Sequence, residues 1–226
     1  MRLTPVAYIY NNFTSKFGIP RQSGLTGVLS TIAFTGEFRN PNYVKGIEEF
    51  SHLWLVWGFS QSEPSASATV RPPRLGGNKT MGVFATRSPY RPNPLGLTLV
   101  KLEQVQKKEN ETLLLVSGAD LMNGTPIYDI KPYLPYADVA QDAKAGYATN
   151  APERKLSVLF QTDIPKDLSP AYLEELKSVL SYDPRPAYHT DETRTYGLTF
   201  GAYDVKFTVQ NETAVVLAFL PTQNSN

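Results

Sequence analysis

The sequence predicts a mainly β chain: a sandwich or barrel over residues 1–138, then a small α+β unit over residues 139–226. Three observations predict it. Short apolar or alternating runs recur at 6–10, 27–34, 52–59, 81–85, 97–102, 112–117 and 127–133, bounded by the Gly, Pro and Asn that punctuate strands. Little helical pattern separates them, with 42–50 a plausible short helix, so packed or closed sheets fit better than alternating α/β layers. Past residue 140 the texture changes and a helix enters among further strands.

Each element of the second unit has a local reason. Residues 140–151 are small and polar, as in a linker, and 156–162 form a strand-like run. Ser169 and Pro170 open a helix, because serine suits the N-cap and proline the first helical position, with Glu174 and Glu175 nearby. Leu173, Leu176, Val179 and Leu180 give that helix one apolar face. Runs at 195–200, 203–209 and 213–220 predict three antiparallel strands.

Composition limits the chemistry. The 226 residues include no cysteine, which excludes disulfides, a thiolate nucleophile and cysteine-based zinc sites. Only His52 and His189 offer imidazole, so no metal site is expected. A formal net charge of +1 announces no nucleic-acid partner, and any such contact must come from a local patch. Residues 1–5 lack the apolar core of a signal peptide, and no run approaches the roughly 18 apolar residues of a membrane helix. A soluble, cytoplasmic chain without a membrane partner is expected.

The densest chemistry lies in residues 82–97, where Arg87 and Arg91 alternate with Pro89, Pro92 and Pro94. Proline fixes φ, removes a donor and restricts the residue before it, so this loop is held before any ligand arrives. Its arginines become fixed forks for carboxylate or phosphate. The alternative is a rigid turn whose arginines pair with surface carboxylates. In residues 17–25, Arg21 can hold a carboxylate and Gln22 can read an adenine edge, or the loop is simply exposed and polar. Asp120 can accept from ribose hydroxyls or a ligand ammonium, although Asp120 and Asn123 also suit Asx-turns, and Asn123 with Gly124 is itself a turn signal.

Arg71, Arg74 and Lys79 place three cations in a Pro/Gly-rich loop that suits phosphate contact or plain solvation. Arg185, Tyr188 and His189 form a second patch able to meet RNA through charge and stacking. His52 adjoins a strongly apolar strand and reads as a satisfied histidine rather than a general base. No serine sits in a nucleophile elbow, and no glycine-rich segment matches a nucleotide fingerprint. Together these residues define a pre-organised anion-binding face and leave the reaction open.

Taken jointly, five segments resemble the TsaA-like family, also called TrmO and formerly VirR/YaeB. They are Pro20, Arg21 and Gln22; Glu49 to Trp54; Arg71 to Asn78; Gly82 to Gly96; and Gly124, Thr125 and Pro126 through Tyr133. Asp183 to Tyr188 resembles the C-terminal part of the full-length bacterial members, so the likeness spans nearly the whole chain. The resemblance implies an S-adenosylmethionine-dependent tRNA (adenine(37)-N6)-methyltransferase. Its substrate would be threonylcarbamoyladenosine beside the anticodon of threonine tRNA. The resemblance also implies a homodimer and a β-barrel catalytic domain over 1–138, in place of a Rossmann-like fold. The α+β domain over 139–226 is expected to help bind tRNA.

Carried over where the motifs align, Pro20, Arg21, Gln22, Ser60, Gln61, Arg87, Leu97, Asp120, Leu121, Met122 and Asn123 would line the cofactor site. Arg71, Arg74, Lys79, Arg185 and Tyr188 remain as the expected tRNA contacts. The family often has His-Gln where this chain has Ser60 and Gln61, and Asp where it has Asn123. The serine loses an imidazole and the asparagine a charge, yet both keep a hydrogen-bonding side chain. The sulfonium methyl is already activated, so in-line positioning is the main task, worth about 7–11 kcal/mol. No residue declares itself as the base. Arg91 is expected to grip the threonyl carboxylate of the substrate, with Arg87 nearer the cofactor. The rival expectation is a non-catalytic β-barrel that binds a nucleotide or RNA as an accessory module. A third, a methyltransferase acting on a small metabolite, leaves Arg71, Arg74 and the C-terminal patch without a role.

Overall fold

The computed structural model describes residues 2–63, 65, 67–76, 78–108, 111–153, 155–185 and 191–222. In chain order the first strands are β1 (Ala7–Tyr10), β2 (Leu29–Phe34), β3 (His52–Gly58), β4 (Thr69–Val70), β5 (Met81–Gly82), β6 (Leu95–Lys108), β7 (Glu111–Ser117) and β8 (Thr125–Pro132). Six of them close a barrel in the order β1-β2-β7-β6-β3-β8, while β4 and β5 pair as a separate ribbon. Every neighbouring pair in the barrel is antiparallel. The β1–β2, β3–β6 and β7–β8 connections therefore all emerge at one end.

Strand alternation builds the core. Along β3, Leu53, Leu55 and Trp57 point inward, while His52, Trp54 and Val56 stand half-buried on the outer wall. Ile9, Ile32, Val100, Leu114 and Ile127 meet them inside. His52 bonds the Ser51 hydroxyl through Nδ1 at 2.9 Å and lies near Tyr133, as a strand-start histidine should.

Three expectations change in the structure. The run at 81–85 pairs only at Met81–Gly82 and then tightens into a 3₁₀ turn, Val83–Ala85, whose buried Val83 donates its N–H to the Ala68 carbonyl. The predicted helix at 42–50 splits into two 3₁₀ turns, Pro41–Val44 and Ile47–Glu49, because Gly46 takes a φ of +85° between them. Strand 97–102 extends to Lys108, where Val105 is the single apolar residue in the mostly polar stretch 103–108 and leaves no alternating pattern to read.

The second unit holds β9 (Ser157–Phe160), the helix α2 (Pro170–Ser181) and strands β10 (Tyr196–Phe200), β11 (Tyr203–Gln210) and β12 (Thr213–Pro221), with a short helix α1 (Pro135–Asp138) before them. Its sheet runs β10-β11-β12-β9, with β9 parallel to β12 and the other pairs antiparallel. Ser169 caps α2 by accepting from the Tyr172 N–H at 3.2 Å, as its position predicts. Tyr172, Leu176, Val179 and Leu180 are buried against the sheet, and this second core also takes in Phe13 and Val28 from the β1–β2 connection. Among the described residues, no helix is long and apolar enough to cross a membrane.

Candidate active site

The three connections at one end of the barrel carry every site residue expected from the first unit except Leu97. They touch one another. The Gly24 N–H donates to the Gly118 carbonyl at 2.9 Å, and Gly118 holds a φ of +81°. A Cβ on Gly118 would meet the Gly24 backbone at 3.4 Å, an ordinary contact, so it is the left-handed φ and not the spacing that favours glycine at this crossing. Arg87 donates from Nη1 to Gln22 Oε1 at 2.5 Å, and Lys16 Nζ donates to the Gln61 carbonyl at 2.7 Å. Segments far apart in sequence thus form one rim.

Beneath the rim lies a polar relay. The Trp57 indole N–H donates to Thr98 Oγ1 at 2.9 Å, and the Thr98 hydroxyl donates to Asp120 Oδ1 at 2.7 Å. Burial pushes the Asp120 carboxyl above its ordinary range, while the Thr98 hydroxyl, the Arg87 charge and the Ser23 backbone N–H oppose that shift. Gly96 makes room for the indole, since a Cβ there would lie 2.2 Å from the Trp57 ring. An acceptor at depth and a guanidinium at the rim can hold a ligand that carries both a donor group and an anion.

The arginine-proline loop is bonded to itself. The Thr86 hydroxyl donates to the Val83 carbonyl at 2.8 Å, the Tyr90 N–H to Ser88 Oγ at 3.2 Å, and the Arg91 N–H to the Pro89 carbonyl at 3.0 Å. Half-buried Arg91 also donates from Nη1 to the Thr86 carbonyl at 3.3 Å. Among the described residues neither Arg87 nor Arg91 enters an ion pair. The alternative of arginines spent on surface carboxylates is therefore not what the fold does with them.

The remaining candidates divide. Arg21 is exposed and Pro20 half-buried on the β1–β2 connection, and Ser60 is exposed just past β3. Leu121 is buried in the barrel core, with half-buried Met122 after it. Asn123 Oδ1 accepts from the Asn11 N–H at 3.0 Å, pinning the β7–β8 turn to the start of the β1–β2 connection, a role that needs an oxygen and not a charge. Leu97 stands on the outer wall, 58% exposed and in register with Val56, facing away from Thr98.

Arg71 and Lys79 are exposed around the β4–β5 ribbon, while exposed Arg74 donates to the Asn150 carbonyl at 2.6 Å. Arg185 grips Asp183 with two N–H groups at 2.8 and 3.0 Å, and its side chain is only 13% exposed. Tyr188 and His189 lie outside the described residues. Sequence reasoning missed Trp57, Thr98 and Lys16, whose roles depend on register and loop crossing and leave no local signal. A separate cleft of about 560 Å³ opens at the opposite end of the barrel, lined by Phe34, Phe38, Tyr43, Ile47 and Phe50 among others. None of the expected site residues lines it.

One end of the closed barrel thus gathers Gln22, Arg87 and Asp120 without any Rossmann layer, a set of side chains able to meet both an anion and a donor. Residues 8–139 match the tRNA-methyltransferase O N-terminal domain, and residues 153–222 match the TrmO C-terminal domain. The chain is 40% identical over 229 residues to the tRNA (adenine(37)-N6)-methyltransferase of Escherichia coli K12, covering 96% of each. It is 39% identical over 213 residues to a putative S-adenosylmethionine-dependent methyltransferase, RcsF, of Pseudomonas aeruginosa, covering 90% of each. The crystal structure of TrmO from P. aeruginosa is similar with a TM-score of 0.78 at 31% identity, over 98% of this chain and 97% of that one. The chain belongs to the tRNA-methyltransferase O family.

Proposed function

We propose that this chain methylates N6 of threonylcarbamoyladenosine at position 37 of threonine tRNA, with S-adenosylmethionine as donor. Family membership supports the reaction, and the meeting of Gln22, Arg87 and Asp120 at one end of the barrel carries the site. The residues suit the cofactor: the withdrawn Asp120 carboxyl can accept from an ammonium or ribose hydroxyl, and the Arg87 fork can take a carboxylate. When bound, S-adenosylmethionine supplies a methyl group already activated on a sulfonium.

The chain's own residues bind and orient. Trp57 and Thr98 fix the Asp120 carboxyl by a hydrogen-bond relay, and Gln22 holds the Arg87 fork at the rim. Arg91 offers its remaining N–H groups to the threonyl carboxylate of the substrate. Arg91→Lys is expected to cut methyl transfer by about tenfold or more on threonylcarbamoylated tRNA, because lysine lacks the bidentate fork. Full activity in that variant would remove Arg91 from the role. Arg71, Arg74 and Lys79 supply phosphate contacts, whereas the Arg185 fork is already filled by Asp183. A tRNA substrate supports the cytoplasm as the compartment of the chain.

We also infer a homodimer through the outer wall of β3 and β6, where Leu95 and Leu97 are 38% and 58% exposed beside half-buried Trp54 and Val56. Light scattering in solution is expected to return twice the chain mass, and a monomer would refute the seam. The reaction is tested by methyl transfer from labelled S-adenosylmethionine to tRNA with and without the threonylcarbamoyl group, followed by digestion to nucleosides. Label confined to the modified adenosine is expected. Cofactor binding without label would point to another acceptor, and no binding would favour a non-catalytic barrel.

A further inference from the structure

We propose that Glu175, on α2 of the second unit, is a positioning residue for the loop that binds the methyl donor. The second unit is thereby part of the cofactor site rather than only an accessory to it. This deepens the methyltransferase reading above and rests on it.

The loop in question is the β1–β2 connection, residues 11–28, which carries Pro20, Arg21 and Gln22. One carboxylate clips its two ends together. Asn12 donates from Nδ2 to Glu175 Oε2 at 2.8 Å, and the Leu29 N–H donates to Glu175 Oε1 at 2.8 Å. Both oxygens are used, and both bonds are charge-assisted. Between these ends the loop is anchored in the second core instead of the barrel core: Phe13 and Val28 are 1% and 0% exposed there, with Phe17 and Ile19 packed against them. Gly18, at a φ of +95°, lies so close beneath Leu198 that a Cβ would come 2.3 Å from Cδ1. The Gly201 N–H donates to the Asn12 carbonyl at 2.8 Å and ties the β10–β11 turn to the start of the loop.

The β1–β2 ladder already closes this loop at Tyr10 and Thr31, and Glu175 fixes how the chain leaves those strands by tying Asn12 and Leu29 to α2. If the loop held this way is what presents Gln22 to Arg87, the apparent affinity for the donor scales with the fraction of molecules in which the loop is so held. Glu175 sets that fraction without touching the ligand.

The test compares Glu175→Ala, Glu175→Gln and a control, Glu174→Ala, which breaks only an exposed pair with Lys177 on the same helix. Binding of S-adenosylmethionine is measured by calorimetry, and amide hydrogen exchange is followed across the full chain. Glu175→Ala is expected to raise Kd about tenfold or more and to speed exchange in residues 13–28 while β3 and β6 keep wild-type protection. Glu175→Gln, which keeps one carbonyl acceptor, is expected to fall between, and Glu174→Ala to match wild type. Wild-type affinity in Glu175→Ala would overturn the proposal, as would exchange that quickens equally throughout the barrel. Should the alanine variant fail to fold, the glutamine variant carries the same two readouts, and wild-type values in both would overturn it. A wild-type chain that bound no S-adenosylmethionine would strike the underlying reading, and the proposal with it.

Discussion

The two hydrophobic cores of this chain are completed in different ways. The barrel core is drawn from its own strands and turns, from Ala7 to Ile127, and its hydrogen bonds close into a ring without an edge. The second core is not self-sufficient. Its sheet and α2 are filled in part by Phe13 and Val28, which arrive from the other side of the linker. A closed barrel leaves its loops free to be shaped by whatever packs on them, and here the second unit shapes the loop that carries Gln22.

That contrast can be broken or sharpened by substitution. Both tryptophans, Trp54 and Trp57, lie in β3, so their fluorescence reports the barrel while far-UV circular dichroism also follows α2. Phe13→Ala is expected to have the largest effect, costing about 3–5 kcal/mol in urea unfolding. The loss should appear in the α2 signal at lower urea than in tryptophan fluorescence, and coincident loss in both would mean that the cores are not separable. Gly96→Ala acts on the other core. Its Cβ would meet the Trp57 ring, so about 1–3 kcal/mol of barrel stability is expected to go, visible in fluorescence.

Asp120→Asn tests the relay and should have the smallest effect. Burial raises the Asp120 carboxyl, so the folded chain keeps a proton that the unfolded chain has already released. Stability from this group is therefore fullest below the ordinary carboxylate range, and it declines as pH rises toward the raised folded value. Glu175, also raised by burial, contributes with the same sign. Asp120→Asn is expected to flatten the wild-type profile in that window without abolishing its slope. An unchanged profile in urea titrations across pH would show that Asp120 is not withdrawn from water.

Much of the barrel was legible because period-two burial is a local signal, plain in β3 and β7. The far half of β6 was not, since only Val105, set among Glu103, Gln104, Gln106, Lys107 and Lys108, packs on the core, too little for a periodic signal. Gly46 was visible as a residue, but its left-handed conformation, which divides the expected helix, depends on the turns around it. The arginine-proline loop announced itself through chain stiffness and charge. Asp120 was legible as a candidate acceptor, but its partners Trp57 and Thr98 were not, because only strand register brings residues so distant in sequence into one relay. Glu175 read as an acid near the start of α2, and only the packing of two units turns it toward Asn12 and Leu29.

Everything proposed for this chain turns on where the methyl donor sits. Titrating S-adenosylmethionine into isotope-labelled chain and mapping amide shifts tests it directly. Shifts are expected at residues 21–24, 87 and 118–123, at the end of the barrel that holds Asp120. Shifts confined to the opposite cleft, around Phe38, Tyr43 and Ile47, would contradict a donor site beside Asp120.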